Sequence, residues 1–117
     1  MTLAFTSALL TKLKADTNLM SHITYLGDMP PDNQTSPYVV IGAEQDTRGR
    51  ILDETETRHF FTLHVWSDYK GRKEVKEIMA LIRADLEQME HTYLEEAQIL
   101  IDSSDWWHGV ISYYTYL

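Results

Sequence analysis

Apolar residues near the start of the chain recur at helical spacing. Phe5, Leu9 and Leu13 fall at i, i+4 and i+8 with Leu10 beside them, while Thr6, Thr11, Lys12 and Lys14 take the other face. This predicts an amphipathic helix, with Lys12 and Lys14 in the last turn where cations complement the exposed carbonyls. Asp16 or Thr17 can cap a second, short helix carrying Leu19, Met20 and Ile23. The stretch from Gly27 to Pro37, with Pro30-Pro31 and several turn formers, excludes regular helix or central strand and reads as a surface excursion.

That excursion leads into Tyr38-Val39-Val40-Ile41-Gly42, a β-branched run apolar on both sides. It predicts a strand covered on both faces or placed at a subunit contact. Residues 44–58 alternate in charge sign around Gly49 and predict a long polar connection, the arm of an antiparallel hairpin. His59 to Trp66 is the returning strand, with Phe61, Leu63 and Val65 on one face and Phe60, Thr62, His64 and Trp66 on the other.

Ser67 or Asp68 is expected to cap the clearest helix, Lys70 to about Met89. Its Val75, Ile78, Met79, Ile82, Leu86 and Met89 form one apolar stripe. Lys73 with Glu77 and Arg83 with Glu87 have ion-pairing spacing on its solvated side. Gln98–Asp102 and Trp106–Leu117 predict two more strands around a turn at Ser103-Ser104-Asp105. In the last strand Val110, Ser112, Tyr114 and Tyr116 share one face, and Trp107, Ile111, Tyr113 and Thr115 the other.

The order helix, short helix, strand, strand, helix, strand, strand predicts an α+β fold. In it a mostly antiparallel twisted β-sheet has helices packed on one face and a protruding hairpin arm. Without a repeat, linker or low-complexity tract, residues 1–117 read as a single domain.

Composition narrows the function. An apolar share of 44% with 24% charged residues is that of an ordinary folded protein and argues against disorder. The absence of cysteine excludes disulfides, thiolate metal sites and thiol catalysis, and fits a reducing cytoplasm. No apolar run approaches the roughly 20 residues of a membrane span, and Met1 to Phe5 lack the basic start of an export signal. A net charge of -8 is a poor basis for sequence-reading DNA contact.

Catalytic chemistry finds little to build on. His22, His59, His64, His91 and His108 include no i, i+4 pair, and His59 and His64 point to opposite faces of one strand. No nucleophile elbow or Gly-rich phosphate loop occurs. The cluster Asp53-Glu54-Glu56 reads as a solvated loop, with no apolar enclosure to shift a pKa, although a hydrolase built on it is one alternative. No catalytic residue, cofactor or metal is therefore expected.

Two features stand above this background. No Lys or Arg follows Arg83, whereas Glu87, Glu90, Glu95, Glu96, Asp102 and Asp105 do. The cations gather in the arm (Arg48, Arg50, Arg58) and at the start of the long helix, as a head-to-tail contact between copies would use them. The final strand carries Trp106, Trp107, Tyr113, Tyr114 and Tyr116, aromatic on both faces, which burial against another subunit would satisfy. Arg48, Arg50, Ile51, Leu52, Arg58, Trp106, Tyr114 and Tyr116 are accordingly the candidate contacts with other subunits.

Three segments recur in a recognisable order: Pro37-Tyr38-Val39-Val40-Ile41-Gly42; Leu63-His64-Val65-Trp66-Ser67 followed by Lys70-Gly71-Arg72; and Trp107-His108-Gly109-Val110. With Leu9-Leu10 in the opening helix and the Asp16 to Ile23 follow-up, the set resembles the tail-completion (tail-terminator) proteins of long-tailed phages, prophages and gene transfer agents. The resemblance implies no enzymatic activity and a structural role at the head-proximal end of a virion tail assembled in the host bacterial cytoplasm. There, copies would close a six-membered ring on the finished tail tube, stop its growth and offer a surface to the head–tail connector or neck. DNA would pass through the channel without specific binding, and no membrane would be involved. A head-completion or neck protein, or a small ligand- or peptide-binding α+β module, are the alternatives.

Overall fold

The structure is a computed structural model and describes residues 3–50 and 55–117. Its elements are α1 (Leu3–Lys14), α2 (Thr17–His22), β1 (Tyr25–Gly27), β2 (Tyr38–Arg48), β3 (Thr57–Ser67), α3 (Lys73–Leu86), β4 (Thr92–Ile101) and β5 (Trp107–Tyr116). The strands form one sheet in the order β1-β2-β3-β5-β4. β1 runs parallel to β2, and every other neighbouring pair is antiparallel. The sheet is thus mixed, and all three helices contribute to the core on one of its faces.

That face follows from strand alternation. Phe61, Leu63 and Val65 of β3 and Ile111 and Tyr113 of β5 are buried, and the α3 stripe Val75, Ile78, Ile82 and Leu86 is buried with them. α1 adds Leu9 and Leu13, and α2 adds Leu19. The helical layer packs directly onto the sheet at Gly109. A Cβ there would lie 2.5 Å from Met79 Sδ and 3.1 Å from Val75 Cγ2, so α3 uses the missing side chain as its seat.

Several boundaries differ from those the sequence suggests. α3 starts at Lys73 and ends at Leu86, and its N-cap is Arg72 without a side-chain bond. Ser67 and Asp68 do not cap it. Ser67 closes β3 instead; its buried hydroxyl donates to Glu74 Oε1 (2.6 Å) and accepts from the Tyr69 N–H (3.2 Å), clamping the turn into the helix. The Lys73–Glu77 and Arg83–Glu87 spacings do not close into ion pairs, as exposed side chains lose rotamer freedom for little Coulomb gain.

β4 begins at Thr92, six residues before the expected Gln98, because a bulge between Leu94 and Glu96 breaks the alternation there. Both ends of the polar 44–58 segment are strand, since β2 reaches Arg48 and β3 starts at Thr57. β1, too short to show a period, was not foreseen. Of the β-branched run, only Val39 is buried, while Tyr38, Val40 and Ile41 remain half-buried. The expected cover on both faces is therefore absent.

The excursion 28–37 is tied back at Thr24. Its N–H donates to Pro37 O (2.8 Å), and its hydroxyl lies 2.6 Å from Thr35 O and 2.9 Å from Pro37 O. The Ser36–Pro37 peptide is cis. The hairpin of β2 and β3 outlasts its neighbour β5. Leu117 exchanges backbone bonds with Thr57 (2.8 and 2.9 Å), and beyond that level Gly49 N to Glu56 O (3.1 Å) continues the ladder as an arm.

Asp16 is the N-cap of α2, accepting from the N–H groups of Asn18 and Leu19 at 3.1 Å each. It also meets Asp85 of α3. The hydrogen bond from Asp85, with that from Leu19, holds the Asp16 carboxyl below its ordinary range. Burial, then the bond and charge of Asp16, push Asp85 up to about 6. Below about pH 6 Asp85 is the protonated member, and donates.

Two predictions follow this packing. Gly109→Val forces a side chain into the space of Met79 and Val75 and should cost about 1–3 kcal/mol by urea denaturation, against the usual gain of replacing glycine in a strand. Asp85 ionises near 3.8 in an unfolded chain and near 6 in the fold, so its ionisation favours unfolding between those values. The native state should weaken as pH rises through that window. Asp85→Asn, which keeps the donor without the charge, should then gain about 1–2 kcal/mol at pH 7.5 and nothing at pH 3.5.

Candidate functional site: the uncovered sheet face

The even positions of β3 and β5 point away from the helices, and among the described residues no element covers them. Phe60, Thr62, His64, Trp66, His108, Val110, Ser112, Tyr114 and Tyr116 are all half-buried. The face has two chemically different ends and a shallow trough of about 410 Å³ floored by Phe60, Thr62 and Ser112 between Gln45 and Glu95.

The outer end, towards the arm, is an aromatic cluster. Tyr114 lies 5.6 Å from Phe60, 5.5 Å from Tyr93 and 5.9 Å from Tyr116, ring centre to ring centre. Arg50 sits 3.8 Å above the Tyr116 ring, and Arg58 5.3 Å from it. Stacking of this kind orients aromatic rings and cations and contributes about 1 kcal/mol per well-placed pair. Arg50 is also fixed by Glu56, whose Oε1 lies 2.6 Å from the guanidinium and whose Oε2 accepts the Arg50 N–H at 2.8 Å. That bond holds the Glu56 carboxyl below its usual range.

The inner end is a histidine pair. His64 Nδ1 and His108 Nε2 are 2.7 Å apart, and Trp66 stacks on His108 at 3.8 Å with an interplanar angle of 10°. One proton shared between two ring nitrogens satisfies this contact, which suits two neutral rings. Burial lowers the pKa of both, and for His108 the neighbouring His64 adds to it. Gly42 makes the room. A Cβ there would fall 2.2 Å from His64 Nε2 and 2.5 Å from Thr62 Oγ1.

His59 belongs to the opposite, helix-covered face. It is fully buried, with Nε2 3.0 Å from Glu44 Oε1 and Nδ1 against Asp46 Oδ1. Both ring nitrogens face carboxylate oxygens, so the ring bridges two strand-borne acids. Phe5 of α1 packs edge-on at 5.4 Å, and Thr6 bonds Glu44 at 3.5 Å. The clamp therefore joins β2, β3 and α1. The signal for it was the spacing of Glu44 and Asp46, two apart and hence on one face once 44–48 is read as strand.

The sequence-derived contact residues do not form one patch. Arg48, Arg50, Arg58, Tyr114 and Tyr116 gather at the outer end, around the last rungs of β2, β3 and β5. Trp106 lies at the other end, 6.0 Å from Tyr38. Ile51 and Leu52, and Asp53 and Glu54 of the carboxylate cluster, lie outside the described residues. Among the described residues no three His, Cys, Asp or Glu side chains are arranged to hold a metal ion. Replacement of the clamp should be the costliest change here. His59→Ala leaves two carboxylates facing a cavity and should lower stability by about 2–4 kcal/mol, whereas the half-buried His108→Ala should cost under about 2 kcal/mol, both read by urea denaturation.

Comparison with known proteins places this architecture. No curated protein matches the sequence. A solved chain from the "Virion of native gene transfer agent (GTA) particle" is similar with a TM-score of 0.77 at 19% identity, over 92% of this chain and 90% of that one. The "Structure of bacteriophage SPP1 gp17 protein" is similar with a TM-score of 0.66 at 23% identity, over 96% of this chain and 88% of that one. At such identities the likeness is one of fold. The family model described as tail completion protein gp17 matches residues 7–117. The chain therefore belongs to the tail completion protein gp17 family, structural proteins of the phage tail.

Proposed function

We propose that copies of this chain close a ring on the head-proximal end of a finished tail tube, stop tube growth and provide the surface on which the head docks. The observation that carries the reading is the one-sided sheet. Three helices cover one face, while the other keeps an aromatic cluster and a trough half in water, an arrangement that another subunit completes. Family membership supplies the setting.

Ring closure needs two different patches related by a rotation that closes, with six copies as the resemblance implies. Charge segregation fits such a heterologous contact, since cations lie in the arm and at the start of α3 and acids follow Arg83. Growth would stop because the ring covers the growing face of the tube with a surface that tube subunits do not extend. The opposite rim would meet the head–tail connector. DNA would slide through the channel, repelled by an acidic lining rather than held by it.

Deletion of the gene tests this directly. Electron micrographs of the mutant lysate should show unjoined heads and abnormally long tails, with wild-type chain in trans restoring both. Normal, joined particles would overturn the reading. Tyr114→Ala with Tyr116→Ala, which strips the outer cluster and leaves the core alone, should reproduce the unjoined phenotype at least in part.

A further inference from the structure

We propose that the inner end of the open sheet face is an aromatic cage for an arginine side chain carried by a different protein of the virion. The proposal rests on the assembly reading above for its setting and names what that end of the face receives. Tyr38, Trp66, Asp102, Ser104 and Trp106 surround a hollow of about 410 Å³, apart from the trough and the aromatic cluster at the outer end.

Strand register builds the cage. Tyr38 of β2 lies directly opposite Trp66 of β3, and residues paired in this way share a face of the sheet. His108 stacks on Trp66 at 3.8 Å and holds the indole from one side. Trp106, just ahead of β5, brings its ring centre 6.0 Å from that of Tyr38 at an interplanar angle of 59°. Asp102 places Trp106: its Oδ1 accepts the N–H groups of Ser104 (2.8 Å) and Trp106 (2.9 Å), and its own N–H donates to Trp106 O (2.9 Å). The second carboxylate oxygen has no hydrogen-bond partner among the described residues. All three rings are half-buried, so each keeps part of its surface in water.

The lining selects the ligand. Aromatic faces carry negative partial charge and Asp102 a full one, while no Lys, Arg or His lines the hollow. A cation is attracted there and a nucleic-acid phosphate repelled. A planar, weakly hydrated guanidinium can stack on a ring while its N–H groups reach a carboxylate, whereas an ammonium keeps its water more tightly. The chain's own arginines are already placed. Arg50 is held by Glu56 and Tyr116, Arg58 lies over Tyr114 and Tyr116, and Arg72 stacks on Trp107 at 4.5 Å. Arg83 stands beside Tyr113, and Arg48 is engaged as well. The guanidinium therefore comes from another protein.

Nα-acetylarginine amide is the first probe, titrated into the full chain while the indole N–H signals of Trp66, Trp106 and Trp107 are followed by NMR. The signals of Trp66 and Trp106 should move to saturation and that of Trp107 should stay. The citrulline analogue, which keeps the shape without the charge, should bind about tenfold more weakly. Asp102→Asn keeps the acceptor for the turn and should weaken arginine binding about tenfold, leaving citrulline binding unchanged. Trp106→Leu should abolish the response. Equal binding of arginine and citrulline, or no saturable shift, would overturn the proposal.

The source of the arginine is read in particles. Ser104 lines the hollow and is exposed, so p-benzoylphenylalanine in its place reports what enters. Irradiated, purified particles should yield an adduct on an arginine-bearing segment of another virion protein, and Arg→Gln in that segment should remove it. Adducts confined to a second copy of this chain, or none at all, would overturn the proposal, and the titration decides if the variant does not enter particles. Tail length and head joining report the assembly reading separately. A deletion strain with normal joined tails would remove that reading and leave a measured arginine site standing, whereas a failed titration would remove the cage alone.

Discussion

The contact on which the rest of the structure depends is the packing of the α3 stripe onto the odd positions of β3 and β5. A strand offers its side chains to two faces alternately, so committing Phe61, Leu63, Val65, Ile111 and Tyr113 to the helices sends every even neighbour to the opposite side. With all three helices in one layer, no element among the described residues covers Phe60, Trp66, Tyr114 and Tyr116. The exposed aromatic face is thus a geometric consequence of a small core, and Gly109 shows how tightly that core is drawn together.

Much of this was legible from the residues. Long periodic segments such as α3 and β3 announce themselves, because each repeats its apolar position several times. The two-faced aromatic strand was legible as well, and it is the feature that the assembly reading uses. Edges were harder. Tyr25-Leu26-Gly27 is too short to carry a period, and β4 lies with both faces largely in water, so neither alternation nor hydrophobicity marks where it starts. Residues 44–48 looked like a polar connection because their acids are addressed to a buried histidine thirteen and fifteen positions later. A tertiary contact overrode the local pattern, and only the fold reveals it.

Buried polar groups do different work in the two layers. His59 between Glu44 and Asp46 fixes the register of β2 on β3, since a slip by one residue would turn both acids to the other face and leave a buried ring without partners. Asp16 and Asp85 fasten the short helix α2 to the long one by sharing a proton, a bond present while Asp85 keeps it below about pH 6. Among the described residues the open face has no buried lock of this kind. Its His64–His108 pair and its ring stacks tolerate small rearrangements, and the charged contacts of Arg50 with Glu56 and Tyr116 lie at its outer end.

The bulge at Leu94–Glu96 has a consequence for the life of the protein before it meets any partner. A long flat border strand with Leu, Ile and Tyr in its sequence is the kind of segment that seeds fibrous aggregates. Two adjacent carboxylates and a local kink interrupt that border in its first half, so newly made copies repel indiscriminate stacking while they accumulate. Removing the kink would trade this solubility for stickiness, and the damage would show in the yield of soluble protein rather than in the folded form.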